Sequence, residues 1–284
     1  MADTIVVTTL IENSVNLRGL LAEHGLAFHI QAGPRSLLFD TGQSGLLAQN
    51  ARSLHVSLAA VEAIALSHGH NDHIGGLPAA RAAAPQARLF LHPASLALKF
   101  AANPNGLGRS IGMDEANAKA IRAAAKTVVW TSQPTEVLEG IFVTGEIPRQ
   151  NTFEDTGGRF FLDAACTQPD PLLDDQALFF DTQDGLVVLL GCAHAGVVNM
   201  LEYIRQLTGG RPIHTLLGGL HLLNASSQRI AKTIGAFRRL EVQRLAPGHC
   251  TGLPALAQLW NAFPGRCCSC AVGASWVFQG FHRI

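Results

Sequence analysis

The sequence predicts an α/β fold whose chemistry gathers along one sheet edge, and two observations carry that expectation. Short apolar runs alternate with helical and glycine-bounded segments through most of the chain, as in layered folds built from strands and covering helices. Four of those runs, Val61–Leu66, Leu186–Leu190, His214–Leu217 and Arg244–Pro247, are followed within four residues by a histidine in a glycine-containing turn. Side chains at the carboxyl ends of neighbouring strands share one edge, where α/β folds place their sites.

The 284 residues, 48% of them hydrophobic, are ample for a sizeable core and read as one domain over 1–284. Lys+Arg and Asp+Glu are equal at 21 each and no basic run occurs, so no nucleic-acid partner is expected. The opening Met1–Val7 has no basic stretch, long apolar stretch or cleavage site, and no run approaches the roughly 18 apolar residues of a membrane span. A cytoplasmic protein without a membrane partner is expected. Nothing in the pattern specifies an oligomeric state.

Residues 4–11, 27–32 and 36–40 read as strands. The third runs into Asp40-Thr41-Gly42, where Asp40 either caps a turn or holds a ligand histidine in one tautomer. Val61–Leu66 reads as a buried strand entering Ser67-His68-Gly69-His70-Asn71-Asp72-His73-Ile74-Gly75-Gly76, with a helix over 74–83. His68 and His70, two apart in extended backbone, project to one side. Asp72 and His73 lie past the bend and face the same pocket from another angle. Three imidazoles and a carboxylate in six positions suit a metal site; a polar helix-capping loop is the bland alternative.

Arg88–His92 reads as a strand, and the Ala-rich segment 93–126 as a helical insertion or lid, broken at Asn103-Pro104-Asn105-Gly106. Its Lys99 and Arg109 either meet an anionic substrate or remain solvated surface charges. Strands resume at 127–131 and 136–144, and Gln183-Asp184-Gly185 turns a hairpin between 177–181 and 186–190. The last three apolar runs deliver His194, His221 and His249, with helices near 196–207 and 253–262. Of the six cysteines, Cys267, Cys268 and Cys270 lack a zinc-finger counterpart, and no secretory signal favours disulfides. Buried thiols are the ordinary outcome; Cys192 and Cys250 adjoin the histidine loops, which leaves a redox or ligand role open.

Ser67–Gly76, preceded by Phe39-Asp40-Thr41-Gly42, resembles the metallo-β-lactamase superfamily. Thr144–Arg149, Asp174–Leu178, Gly191–Asn199, Gly218–Leu222 and Pro247–Gly252 are similar to its branch named after an archaeal dihydropterin-methyl-ribofuranosylaminobenzene-phosphate synthase. The resemblance implies an αββα sandwich of two mixed sheets between helices. It also implies His68, His70 and His194 around one divalent metal and Asp72, His73 and His249 around a second, with Asp40 behind them. Zinc is the first expectation, with manganese and iron as alternatives. The acidic residue that bridges the metals in most hydrolase members is replaced by Gly218-Gly219-Leu220-His221, which leaves His221 free to contact substrate or donate a proton.

The expected activity is hydrolysis of small phosphate or other anionic esters through a metal-bound hydroxide, with Asp72 orienting it and His221 protonating the departing oxygen. The resemblance equally implies a dihydropterin-methyl diphosphate-consuming synthase, in which Arg149 would stabilise departing diphosphate. A metal-containing ligand-binding module with little turnover is the third reading.

Overall fold

The protein is described by a computed structural model covering residues 4–104, 106–123 and 127–281. Two mixed sheets form its centre. The first contains β1 (Ile5–Ile11), β2 (Ala27–Ala32), β3 (Arg35–Phe39), β4 (Val61–Ala65), β5 (Arg88–Leu91), β8 (Val128–Trp130) and β16 (Ser275–Phe278). Its order is β16-β1-β2-β3-β4-β5-β8, antiparallel from β16 to β3 and parallel from β3 to β8. The second runs β15 (Arg244–Gly248), β14 (Ile213–Gly219), β13 (Gly185–Leu190), β12 (Ala177–Thr182), β10 (Ile141–Val143), β9 (Thr135–Leu138). Only β13, β14 and β15 are parallel there, and their carboxyl ends therefore lie together. A small third sheet joins β6 (Phe100–Ala102), β7 (Gly108–Ser110) and β11 (Phe160–Phe161).

Strand alternation sorts the apolar side chains into layers. Leu37 and Phe39 of β3 and Ala63 and Ala65 of β4 turn inward to meet Leu178 and Phe180 of β12 and Val187 and Leu189 of β13. The intervening Leu38 and Ile64 face outward onto α1 (Leu46–Ser53), α3 (Leu77–Ala83) and α4 (Glu115–Ala123). On the far side Val188, Leu190 and Leu216 pack under α5 (Val197–Leu207), α6 (Ser227–Arg239) and α7 (Leu253–Ala262). Helix, sheet, sheet, helix is the resulting αββα order. Phe180, fully buried between the sheets with its ring 5.7 Å from that of Phe278, marks the central seam. Phe180→Ala is expected to cost about 3–5 kcal/mol, read as a lower urea midpoint at unchanged slope; a loss under about 1 kcal/mol would show that the two sheets do not depend on this seam.

The element boundaries differ from the sequence expectations in three informative places. The helix expected over 74–83 is split into α2 (Asn71–Ile74) and α3 because Gly75 and Gly76 take the backbone of the 41–44 loop. A Cβ would stand 2.2 Å from the Gln43 carbonyl at Gly75 and 2.1 Å from that of Thr41 at Gly76. The strand expected over 136–144 is a β9–β10 hairpin turning at Gly140, whose φ of 73° favours glycine. The 93–126 insertion carries a short 3-10 turn and α4 near its ends, but β6 and β7 occupy its middle. Asn105 and residues 124–126 of that insertion, with Met1–Asp3 of the N-terminal expectation, lie outside the described residues. Among the described residues no helix is long and apolar enough to cross a membrane.

Candidate metal centre

The carboxyl ends of β3, β4, β13, β14 and β15 converge, and the chain leaves several of them in an uncommon backbone state. Asp40, Ala193, His221 and His249 have φ of 61°, 58°, 47° and 51° without being glycine. Each costs on the order of 1–3 kcal/mol, a strain that persists where surrounding contacts fix it and that clusters at functional sites.

The first imidazole group is His68, His70 and His194, all buried. Ser67 Oγ donates to Asp40 Oδ2 at 2.7 Å, so it accepts from His68 Nδ1 at 2.9 Å and leaves His68 Nε2 as a lone pair. His194 Nδ1 donates to the Thr156 carbonyl at 2.8 Å, which likewise frees its Nε2. Both free nitrogens face His70 Nδ1, at 3.0 Å from His68 and 3.2 Å from His194. Burial pushes the His68 and His194 rings well below their ordinary range and His70 to about 3, so all three are neutral. A proton on His70 Nδ1 can serve only one of the two nitrogens that face it, and the buried His70 Nε2 has no hydrogen-bond partner among the described residues. Zinc bound at about 2.0–2.1 Å by tetrahedral nitrogens sets those nitrogens roughly 3.3 Å apart, close to the spacing here.

The second group is His73, His249 and Asp72. His73 Nδ1 donates to Asp40 Oδ2 at 2.7 Å and His249 Nδ1 to Asn13 Oδ1 at 2.9 Å, so their Nε2 atoms face each other at 3.1 Å. Asp72 Oδ2 is 3.3 Å from His249 Nε2 and 4.0 Å from His73 Nε2. Burial works to lower the His73 pKa, but Asp40 and Asp72 outweigh it and hold the ring up to about 9. Burial would raise Asp72, yet His73, His24 and His249 keep it well below the carboxylate range. This pocket is built for positive charge, and a divalent cation satisfies the same carboxylates as a proton on His73. The donor sets of both groups thus fit divalent metal.

Several supporting residues had no role in the sequence reading. Asp174 accepts from the Gly69 amide at 2.7 Å and Asp175 from the Ala195 amide at 2.6 Å. Gln176 donates to the Ser67 and Leu66 carbonyls at 2.9 and 2.8 Å, so three consecutive residues fix both metal loops. Glu12 accepts from the His249 amide at 2.6 Å, and His24 lies 3.2 Å from Asp72. The run Asp174-Asp175-Gln176 was visible as a motif; nothing local showed which backbone it would hold. Asp40, expected either to cap a turn or to hold a histidine, accepts from the Ser67 amide and hydroxyl and from His73 together.

The expected substrate cations separate sharply. Lys99 is corrected: its ammonium is buried, bonded to Asp170 at 2.8 Å and Asp174 at 2.9 Å, and Lys99 is not among the residues lining the cavity at the site. Arg149 is exposed, donates to the Pro171 carbonyl at 2.7 Å and lies outside the cavity lining. Arg109 does line the cavity, a space of about 710 Å³ that also takes in His70, Asp72, His194, His221 and His249. The His221 ring stands 4.2 Å from that of His194, seated over Gly157, where a Cβ would come within 1.8 Å of it. Its buried Nδ1 has no hydrogen-bond partner among the described residues.

An αββα sandwich with two histidine-rich groups at the ends of its central strands defines a class of metal-dependent proteins. The family model of the metallo-β-lactamase superfamily matches residues 22–96 of the chain. The chain is 29% identical over 264 residues to the 7,8-dihydropterin-6-methyl-4-(β-D-ribofuranosyl)-aminobenzene-5'-phosphate synthase of Methanocaldococcus jannaschii, covering 89% of this chain and 90% of that one. A solved metal-dependent hydrolase of the β-lactamase superfamily is 29% identical with a TM-score of 0.79, over 96% of this chain and 98% of that one. A diphosphatase of the PhnP family, 14% identical with a TM-score of 0.57 over 99% of this chain and 100% of that one, shares the fold.

Proposed function

We propose that the protein is a metal-dependent enzyme that hydrolyses small phosphate or other anionic esters. The carrying observation is the pair of adjoining donor groups, six side chains whose nitrogens and oxygens face one another, beside a cavity lined by Arg109. His68, His70 and His194 would hold one ion and Asp72, His73 and His249 the other, with zinc favoured over manganese or iron. When bound, such ions supply Lewis acidity toward a phosphoryl oxygen and acidify water.

The remaining work falls to side chains. Arg109 binds the anionic part of the substrate. Phe160, its ring 5.0 Å from those of His70 and His194, keeps bulk water off the imidazoles. Asp72 orients the attacking water, and His221 gives a proton to the departing oxygen. The 93–126 insertion, which contributes Arg109 and Ile111 to the cavity, acts as its cover within a single domain. His221→Ala is then expected to slow esters with poor leaving groups far more than those with good ones. Equal loss for both classes would remove His221 from proton transfer.

The relative from Methanocaldococcus jannaschii supports a second reading, a synthase that consumes a pterin-methyl diphosphate and releases diphosphate. Two assays on metal-analysed protein separate the two. Turnover of bis(p-nitrophenyl) phosphate that follows metal content supports the hydrolase. Diphosphate release that requires both synthase substrates, with no diester turnover, supports the synthase.

A further inference from the structure

Between the two imidazole groups lies a thiol that neither group accounts for. Cys192 is buried on the loop that carries His194 from β13, and its Sγ stands 3.2 Å from His73 Nε2. It belongs to three clusters of ligand-capable atoms, each within 4.8 Å internally: with His68 and His194, with His73 and His249, and with His221 and Cys250. One sulfur therefore lies within reach of both groups of imidazole nitrogens. None of the three clusters includes a carboxylate, and β14 runs out through Gly218-Gly219-Leu220-His221 without supplying one.

We propose that Cys192 is a protein donor to the metal centre, its thiolate within reach of both ion positions. This rests on the metal-centre reading and adds to it a ligand of a different chemical class. The thiol proton leaves to solvent as the metal–sulfur bond forms, with no change of oxidation state. A soft thiolate shifts preference toward zinc, cobalt and cadmium and away from manganese and magnesium. Cys250 Sγ lies near the Cys192 carbonyl, at 3.7 Å, and clusters with Cys192 and His221 but with neither of the His68 and His73 groups, which makes it the internal control.

The test is spectroscopic and uses the full chain. Wild-type protein loaded with zinc should show a sulfur shell at about 2.3 Å beside nitrogen and oxygen at about 2.0–2.2 Å in zinc-edge X-ray absorption. Loaded with cobalt, it should show near-ultraviolet thiolate-to-cobalt charge transfer that is lost in Cys192→Ser and kept in Cys250→Ser, with visible cobalt bands retained in both. Zinc retained without a sulfur shell overturns the cysteine ligand and leaves the enzyme reading standing. A charge-transfer band that survives Cys192→Ser, or vanishes only in Cys250→Ser, also overturns it. Failure of wild-type protein to hold any metal overturns both readings, and because the X-ray measurement needs no variant, misfolding of Cys192→Ser does not protect the proposal.

Discussion

His70→Ala is expected to abolish turnover, by on the order of 10³-fold or more, and to remove about one equivalent of bound metal. His70 Nδ1 is the nitrogen on which the lone pairs of His68 and His194 converge, at 3.0 and 3.2 Å. Without it, two neutral donors remain where a stable zinc site needs three or four. Asp40→Asn gives the scale below this. Asp40 accepts from the Ser67 amide and hydroxyl and from His73 Nδ1, each at 2.7 Å. An amide cannot accept all three at both positions, and loss of such support costs about 10–100-fold in metal affinity. Arg149→Ala, which removes a bond to the Pro171 carbonyl outside the cavity lining, should change turnover by less than about threefold if hydrolysis is the activity. Metal analysis and diester turnover on the three variants give the order His70, Asp40, Arg149. Full activity in His70→Ala would remove this cluster from catalysis.

The parts of this centre that were legible in sequence are those set by local geometry. His68 and His70, two apart at one strand exit, share a side, and His194 and His249 each follow an apolar run, so strand periodicity and the common edge of strand carboxyl ends point to one place. What stayed hidden depended on partners distant in sequence. Asn13 orients His249 from 236 positions away, and Asp174 holds Gly69 from 105 away. No local pattern encodes such pairings. The same reason accounts for α6 and β16: α6 buries Ile230 and Phe237 against the second sheet, and β16 completes the edge beside β1. Their short or broken apolar patterns acquire meaning only once that surface exists. Lys99 shows the opposite failure. In an Ala-rich insertion a lysine reads as solvated, and only the arrival of Asp170 and Asp174 draws it inside.

That buried lysine carries the second large expectation: Lys99→Met should destabilise the protein by about 3–5 kcal/mol at neutral pH, because breaking a buried pair leaves uncompensated charge. In a chain of this size that is roughly 6–15 °C in melting temperature. Burial works to raise the Asp174 pKa, but Lys99 outweighs it and holds the carboxyl below its ordinary range. The sign with pH follows. A carboxylate held low in the folded state contributes stability above its unfolded pKa and loses it as pH falls through the folded one. In Lys99→Met that contribution is gone and Asp174 takes up a proton more readily, so the deficit against wild type should be greatest near pH 7 and shrink toward pH 4. Adding Asp170→Asn and Asp174→Asn should recover most of the loss, since neutral amides need no counter-ion, although the Gly69 amide then has a weaker acceptor. Urea melts at both pH values on the single and triple variants test this. A deficit that does not change with pH would place the cost in lost packing of the lysine stem, where a Cβ on Gly69 would meet Lys99 Cε at 2.9 Å, and not in the charges.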